Sequence, residues 1–406
     1  MSAPDSVPDF MAKARRGAFR HAEGHVVVPM GVKSIPANTF RGSNITSVSI
    51  PSSVVRIGSS AFQKSSLTRV STAVHSVGDR AFDDCFALVE VEMPSVKTIG
   101  DFAFCHCKKL VDIRAPKVEM IGKCNFTCCV KLARVMLPMV RKIGDASFYL
   151  CNKLAKVELP SATHIGEFAF TYCGNLANFV LPAATHIGHS AFQRCCRLTS
   201  VSLPRVVEIG GFAFADCRNL TRIHVPVAVE IGESAFQWCC RITSVSLPSV
   251  VEIGDFALSD CSELVTVTMP MATHIGDFAL SECFELATVT MPMVTHIGEY
   301  AFARCERLTS VEMPSAVVVD PSAFHGSAFR CPPRLPQVTG HKRVRKQLGR
   351  CSICLEPMET SACQFGCDHV MHDACFCKMW AAGHTDCPLC RAPIRKHIRI
   401  STLRPI

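Results

Sequence analysis

The sequence predicts a β-rich α/β solenoid built on a parallel sheet, followed by a small domain that binds two zinc ions. Three observations support this prediction. A glycine recurs every 22 residues from Gly78 to Gly298, and a fixed period of this length is typical of a solenoid. Apolar and polar residues alternate between successive glycines, which indicates one short strand per period. Eight cysteines and histidines near the C-terminus follow the spacing of zinc ligands.

Each period contains the same elements in the same order. In the unit that begins at Gly188, the glycine predicts a tight turn without a side chain. The segment from there to Cys195 is too short for a full helix, so we expect one helical or 3₁₀ turn. Alternation from Leu198 to Leu203 predicts a half-buried strand, and Pro204 ends it because proline has no amide donor.

Two columns of equivalent residues are candidates for the core. A phenylalanine recurs four residues after the glycine, and burial of each ring is worth about 1.5–3 kcal/mol. Leu258 and Leu280 replace it in two units. The phenylalanines are Phe104, Phe126, Phe148, Phe170, Phe192, Phe214, Phe236 and Phe302. A cysteine recurs seven residues after the glycine, from Cys85 to Cys305. Equivalent side chains of stacked coils point in parallel, so we expect buried thiols rather than disulfides or metal ligands.

The repeat pattern resembles the BspA-like class of leucine-rich repeats over about residues 31–329. The resemblance rests on the elements Ile165-Gly166, Ala169-Phe170, Cys173-x-x-Leu176 and Leu181-Pro182. It implies a solenoid that presents a binding surface and does not identify a ligand. Residues 1–30 would then form an N-terminal tail or cap.

Two surface columns are candidates for binding. The residues before the turn predict an exposed polar ladder, with a pH-sensitive surface as the alternative: His164, His186, Glu208, Glu230, Glu252, His274 and His296. The strand face predicts a protein-binding surface or a merely solvated one. Its early coils are charged, at Glu90, Glu92, Asp112, Arg114, Arg134, Lys156 and Glu158, and its late coils are hydroxylated, at Ser200, Ser202, Ser244, Ser246, Thr266, Thr268, Thr288 and Thr290.

Composition places limits on location and partners. The chain has 406 residues and a net charge of +9. Residues 330–406 contain 13 Lys and Arg against 5 Asp and Glu, which leaves 30 against 29 in residues 1–329. The first thirty residues lack the apolar stretch of a secretory signal, and no window approaches the roughly 18 apolar residues of a membrane span. We therefore expect an intracellular, cytoplasmic protein without a membrane partner, whose 25 cysteines are metal ligands or buried thiols.

A basic, proline-containing linker is expected at residues 330–350. Pro332, Pro333 and Pro336 interrupt regular structure. The basic run from Lys342 to Lys346 is either a nuclear-import signal or a solvated linker. A nucleic-acid partner is disfavoured because the basic tail at residues 394–406 has almost no aromatic residues for base stacking.

The zinc ligands are spaced as Cys-x-x-Cys, Cys-x-His-x-x-His-x-x-Cys and Cys-x-x-Cys. They are Cys351, Cys354, Cys367, His369, His372, Cys375, Cys387 and Cys390. A Cys-x-x-Cys knuckle presents two thiolates to one tetrahedral Zn²⁺, and eight ligands serve two ions. Cys363 and Cys377 are not expected to be ligands, although Cys363 is an alternative to Cys367 at the third position.

This series resembles the RING family, in its subtype with two central histidines, over residues 351–393. The resemblance implies a cross-braced domain. One zinc ion would be held by Cys351, Cys354, His372 and Cys375, and the other by Cys367, His369, Cys387 and Cys390. A segment this small has little core, so zinc would supply its folding free energy.

The same resemblance implies a RING-type ubiquitin ligase, a transferase that uses no covalent intermediate. Contacts with the ubiquitin-conjugating enzyme and ubiquitin would come from Ile353, Leu355, Trp380, Pro388 and Arg391. Trp380 lies on a helix expected at about residues 373–382 and follows Cys375 by five residues, one more than is usual in the family. The solenoid would bind an unknown protein substrate. The alternative is a non-enzymatic zinc-binding scaffold that uses the repeats for protein–protein interaction.

Overall fold

The computed structural model describes residues 6–316, 318–329, 362–365, 370–372 and 397–400. The chain divides into two compact units, Met1–Val338 and Thr339–Ile406. The expected linker at residues 330–350 and the helix expected at residues 373–382 lie outside the described residues.

The first unit contains one α-helix, one 3₁₀ helix and a long series of short strands. Helix α1 spans Val7–Arg15 and the 3₁₀ helix spans Ala18–His21. The strands are β1 Glu23–Val27, β2 Ser34–Ile35, β3 Asn44–Ser49, β4 Arg56–Ile57, β5 Arg69–Ser71, β6 Ser76–Val77, β7 Glu90–Glu92, β8 Thr98–Ile99, β9 Asp112–Arg114, β10 Met120–Ile121, β11 Arg134–Met136, β12 Lys142–Ile143, β13 Lys156–Glu158, β14 His164–Ile165, β15 Asn178–Val180, β16 His186–Ile187, β17 Ser200–Ser202, β18 Glu208–Ile209, β19 Arg222–His224, β20 Glu230–Ile231, β21 Ser244–Ser246, β22 Glu252–Ile253, β23 Thr266–Thr268, β24 His274–Ile275, β25 Thr288–Thr290, β26 His296–Ile297, β27 Ser310–Glu312 and β28 Val318–Val319.

The strands stack in parallel, one repeat on the next. The even-numbered strands β2 to β28 form one 14-stranded sheet in chain order. The odd-numbered strands form separate sheets, of which β5 to β13 is five-stranded, β15 to β19 three-stranded and β21 to β27 four-stranded. Register follows the repeat, so that Ile165 pairs with Ile187 and Ile187 with Ile209. The predicted parallel-sheet solenoid is confirmed.

The segment after each glycine is a run of turns, so the expected helical or 3₁₀ turn is wrong. The Ser190 amide donates to the Gly211 carbonyl (2.8 Å) and the Phe192 amide to the Ala213 carbonyl (2.7 Å), both in the next coil. The intervening amides bond within their own coil, as Gln193 does to Ser190 (3.1 Å). In a helix, every amide would instead donate to a carbonyl four residues earlier in the same coil. The described solenoid contains many strands and few helices. It is therefore mostly sheet, which corrects the α/β part of the expected β-rich α/β class.

Close stacking explains the repeated glycine better than an unusual turn conformation does. A Cβ placed on Gly188 would lie 2.8 Å from the backbone nitrogen of Glu167 in the preceding coil. The left-handed conformation is found instead two and six residues later, at Ser190 (φ 52°) and Arg194 (φ 59°). Glycine is needed here because a side chain would separate the coils.

The core is a ladder of phenylalanine rings, as predicted. Stacked neighbours lie 5.0–5.4 Å apart between centroids from Phe40 to Phe236. The ladder extends further toward the N-terminus than the sequence indicated, because Phe40, Phe62 and Phe82 continue it. Leu258 and Leu280 occupy the equivalent buried positions in their coils.

Residues before the first coil cover the end of this ladder. The Ser6 hydroxyl accepts a hydrogen bond from the Asp9 amide (3.3 Å) and so caps helix α1. Phe10 is buried, and its ring centroid lies 5.2 Å from that of Phe19. The Phe19 centroid in turn lies 5.0 Å from that of Phe40. These contacts shield the outer face of the Phe40 ring, the first of the ladder, from water.

The second unit contains a small antiparallel sheet. Its strands are β29 Ala362–Phe365, β30 Val370–His372 and β31 His397–Ile400, in the order β30-β29-β31. Register places Ala362 opposite His372 and Gln364 opposite Val370. Strands β29 and β30 are therefore antiparallel neighbours, separated along the chain by residues 366–369.

Candidate functional site

The outer face of the odd-numbered strands is the broadest candidate surface. In β13, Lys156 and Glu158 are exposed while Val157 is buried. The same exposed–buried–exposed order holds in β11, β21 and β23. Because the strands are in register, equivalent side chains form rows across neighbouring coils. The predicted half-buried strand is confirmed, and every coil contributes two residues to one face.

The charged end of this strand face is largely neutralised by ion pairs. Arg134 Nη2 lies 2.8 Å from Asp112 Oδ2, and its Nε lies 3.2 Å from Asp112 Oδ1. Arg114 Nε lies 3.4 Å from Asp112 Oδ2. The Arg134 hydrogen bonds lower the pKa of the Asp112 carboxyl below its ordinary value. Lys156 and Glu158 form a further pair at 2.9 Å.

The later coils present hydroxyl groups. Ser244 pairs with Thr266 and Thr266 with Thr288, so the first position of each strand carries a hydroxyl in register. The third positions repeat this with Ser246, Thr268 and Thr290. This part of the face is neutral, and its β-branched threonines have few rotamers to lose on binding.

Sequence reasoning missed residues between the two ends. Arg222 and His224 are exposed on β19, next to the serines of β17. Val180 on β15 is 60% exposed. Their positions in the 22-residue register were the signal that would have identified them.

The ladder before the turn is mostly exposed, as predicted. His164 stacks on His186 with centroids 4.7 Å apart, and His274 stacks on His296 at 4.6 Å. Burial, followed by the neighbouring His186 and Lys142, lowers the pKa of His164. Burial and then His274 lower the pKa of His296. Both shifts favour the neutral form of these two rings.

The cysteine column consists of free, buried thiols, as predicted. Each sulfur donates to a carbonyl of the preceding coil, as Cys195 does to Phe170 (3.3 Å) and Cys217 to Phe192 (3.2 Å). Burial raises the pKa of Cys195 and Cys217 well above the ordinary value. Because each thiol of this column is also engaged by a backbone carbonyl, we expect the column to act neither as a nucleophile nor as a metal site.

Of the predicted zinc ligands, His372 lies within the described residues and ends strand β30. The other seven lie outside them: Cys351, Cys354, Cys367, His369, Cys375, Cys387 and Cys390. The predicted contacts for a conjugating enzyme also lie outside them: Ile353, Leu355, Trp380, Pro388 and Arg391. Six thiols and two imidazoles are a donor set suited to Zn²⁺.

Within the described residues, no helix is both long enough and apolar enough to cross a membrane.

A comparison with curated proteins matches a ubiquitin ligase over part of the chain. The E3 ubiquitin-protein ligase ATL23 from Arabidopsis thaliana is 32% identical over 69 residues, which is 16% of this chain and 42% of that protein. The chain thus spans less than half the length of this relative.

Solved structures and family models both match the solenoid. A leucine-rich repeat protein from Bacteroides ovatus has a TM-score of 0.51 and 24% identity, over 74% of this chain and 86% of that one. The pneumococcal vaccine antigen PcpA has a TM-score of 0.46 and 17% identity, over 78% of this chain and 90% of that one. The model described as BspA type leucine rich repeat region (6 copies) matches residues 16–117, 75–195, 119–239, 185–308 and 229–331. The chain therefore belongs to the BspA-type leucine-rich repeat family.

Proposed function

We propose that this protein is a RING-type ubiquitin ligase in which the solenoid binds the substrate and the C-terminal domain binds a ubiquitin-conjugating enzyme. The observation that carries the proposal is the series of eight ligands from Cys351 to Cys390, whose order and spacing match a two-zinc module. The partial similarity to a plant E3 ubiquitin-protein ligase supports it.

Two zinc ions would be held by this series. Cys351, Cys354, His372 and Cys375 would hold one, and Cys367, His369, Cys387 and Cys390 the other. Zinc supplies folding free energy to the domain, on the order of 10–16 kcal/mol per structural site. Four protein ligands per ion leave no open position, so the site has no place for a hydrolytic water.

The residues around the ligands would act by orientation. Ile353, Leu355, Trp380 and Pro388 would form a shallow apolar groove for the conjugating enzyme, and Arg391 would contact both that enzyme and ubiquitin. Holding the thioester in a reactive geometry accelerates attack by a substrate lysine without a nucleophile on this chain. Ubiquitin then passes directly from the conjugating enzyme to the lysine.

The strand face is the surface that would bind substrate. Repeat solenoids offer extended faces of this kind to protein partners. At its hydroxylated end, the outward-facing strand residues Ser244, Ser246, Thr266, Thr268, Thr288 and Thr290 are uncharged, so a partner would not have to break ion pairs of these side chains. Its charged end is internally paired at Asp112 and Arg134 (2.8 Å), so a partner there would have to compete with existing bonds.

Autoubiquitination tests the ligase proposal. The full chain would be assayed against a panel of conjugating enzymes, together with Ile353→Ala, Cys351→Ser and the control Cys196→Ser, which alters an exposed solenoid thiol. We expect chains with at least one enzyme, loss of activity in the first two variants and retention in the control. Absence of chains with every enzyme would refute the proposal.

A zinc-binding scaffold is the second candidate. The position of Trp380, five residues after Cys375 rather than the usual four, favours it because such a shift would change the shape of the expected groove. A scaffold would retain two zinc ions in the C-terminal domain and capture a partner through the solenoid, yet form no ubiquitin chains.

A further inference from the structure

Three metal-binding side chains meet on two adjacent coils of the solenoid, away from the C-terminal ligands. Asp83 follows Gly78 by five residues, and Cys105 and His106 follow Gly100 by five and six. A carboxylate oxygen of Asp83, the Cys105 sulfur and a ring nitrogen of His106 all lie within 4.8 Å of one another. Asp83 and Cys105 are buried and His106 is half-buried.

The separations between these atoms suit a tetrahedral ion. Cys105 Sγ lies 3.2 Å from His106 Nδ1, and His106 Nδ1 lies 3.8 Å from Asp83 Oδ1. Bond lengths of about 2.0–2.3 Å in a tetrahedral zinc site place neighbouring ligand atoms about 3.3–3.6 Å apart. The third pair, the Asp83 oxygen and the Cys105 sulfur, lies within 4.8 Å, so side-chain movement alone would bring all three atoms to one centre. Asp84 Oδ1 lies 3.7 Å from the same ring nitrogen and is a fourth donor atom within reach.

The Asp83 carboxylate is already oriented for such a role. Its Oδ2 accepts a hydrogen bond from Gln63 Nε2 (2.8 Å) and lies 3.6 Å from Arg80 Nη1. Its Oδ1 faces the His106 ring. Outer partners that fix one carboxylate oxygen and leave the other for the metal are a usual feature of zinc sites.

Asp83 is a buried acidic residue at a position that is neutral in the other repeats that begin with a glycine. Its side chain is only 6% exposed. Equivalent residues in other coils are neutral, among them Thr127, Thr171 and Gln193. A buried carboxylate beside a buried thiol and an imidazole needs a positive charge nearby. Arg80 supplies part of that charge on the Oδ2 side, and a metal ion or a protonated His106 would supply it on the Oδ1 side.

We propose that Asp83, Cys105 and His106 form a zinc site in the solenoid, with Asp84 as the fourth ligand. One sulfur, one nitrogen and two oxygens favour zinc over magnesium or calcium, which take oxygen ligands. Because Asp83 and Asp84 belong to one coil and Cys105 and His106 to the next, the ion would tie two coils together. A protonated His106 paired with Asp83 is the competing arrangement.

Zinc content of the full chain tests this site. Wild type, Cys105→Ser, His106→Ala and the control Cys196→Ser would be purified with zinc, freed of loosely bound metal and measured by mass spectrometry. We expect each ligand variant to hold one zinc ion fewer than wild type, and the control to match it. This difference in zinc content does not depend on how many ions the C-terminal domain holds. The experiment therefore tests the solenoid site independently of the ligase proposal.

An isosteric variant guards against a folding defect. Asp83→Asn removes the charge but keeps the size of the side chain, and circular dichroism would confirm that the solenoid is intact. We expect this folded variant also to lack one zinc ion and to lose the rise in Tm that zinc gives the wild-type solenoid transition. Equal zinc content in wild type and the three ligand variants would overturn the proposal, as would the same loss in Cys196→Ser.

Discussion

The Cys195 thiol donates its hydrogen to the Phe170 carbonyl oxygen of the preceding coil, 3.3 Å away. The same carbonyl also accepts the Cys173 amide at 3.1 Å. The cysteine column therefore satisfies backbone acceptors inside the core while filling it like a small apolar side chain. The cysteines of this column that the structure describes are free thiols.

The neighbouring residues Cys195 and Cys196 should differ sharply in reactivity. Burial raises the pKa of both thiols, that of Cys195 well above the ordinary value, but Cys195 is buried and Cys196 is exposed to a reagent. Reaction with a thiol reagent under native conditions, followed by mass spectrometry of peptides, should label Cys196 rapidly and Cys195 only after unfolding. Equal labelling rates at the two positions would contradict the burial of the column.

Truncating a ring in the ladder should create a costly cavity. Phe148 stacks between Phe126 and Phe170, at 5.2 and 5.0 Å. Phe148→Ala should destabilise the solenoid by about 3–5 kcal/mol. Phe148→Leu should cost less, because Leu258 and Leu280 fill the same position elsewhere. Denaturant unfolding of the two variants would measure the difference, and a similar loss in both would argue against a ring-specific core.

The repeated glycine offers a matched pair of substitutions. Gly188→Ala would place a Cβ 2.8 Å from the Glu167 backbone nitrogen, whereas nothing lies within 4 Å of a Cβ on Gly174. Gly188→Ala should cost about 1–3 kcal/mol or more, because adjacent coils must separate. Gly174→Ala should be neutral or slightly stabilising, by up to about 1 kcal/mol. Thermal unfolding of both variants tests this, and an unchanged Tm for Gly188→Ala would disprove the stacking explanation.

The Asp112–Arg134 pair should contribute stability in a pH-dependent way. Arg134 lowers the pKa of Asp112 in the folded state, so the contribution is complete above the ordinary carboxyl range and is lost as the pH falls through the lowered pKa. Asp112→Asn should cost about 0.5–1 kcal/mol at pH 7, because the strand face is open to water.

The pH dependence of that cost provides the measurement. The difference in Tm between wild type and Asp112→Asn should shrink once the pH drops below about 3.8, the ordinary value for Asp. In an Arg134→Gln background, Asp112→Asn should have little effect at any pH. A cost that stayed constant down to pH 2 would show that the pair is not responsible.

Much of the solenoid could be predicted because a 22-residue repeat places equivalent side chains in the same environment again and again. The phenylalanine ladder, the free thiols and the parallel strands all followed from that periodicity. The turn segment after Gly188 could not be predicted in the same way. Every second amide of this segment donates to a carbonyl of the next coil. The residues of one repeat do not indicate these bonds, because the acceptors belong to the following repeat.

The two candidate metal sites also differ in how far the sequence predicts them. The spacing of the eight C-terminal cysteines and histidines indicates a two-zinc module by itself, because ligands of one knuckle are close in sequence. The Asp83, Cys105 and His106 cluster carries no such signal, since Asp83 lies a full repeat before the adjacent residues Cys105 and His106.

The sequence alone determined the repeat, its core columns and the ligand spacing near the C-terminus, because each depends on residues at fixed separations. Only the tertiary structure decided which amides bond between coils, why Gly188 cannot carry a side chain, and that Asp83 faces His106. These features depend on atoms of adjacent coils brought into contact by stacking, and the distance between such atoms is a property of the folded chain.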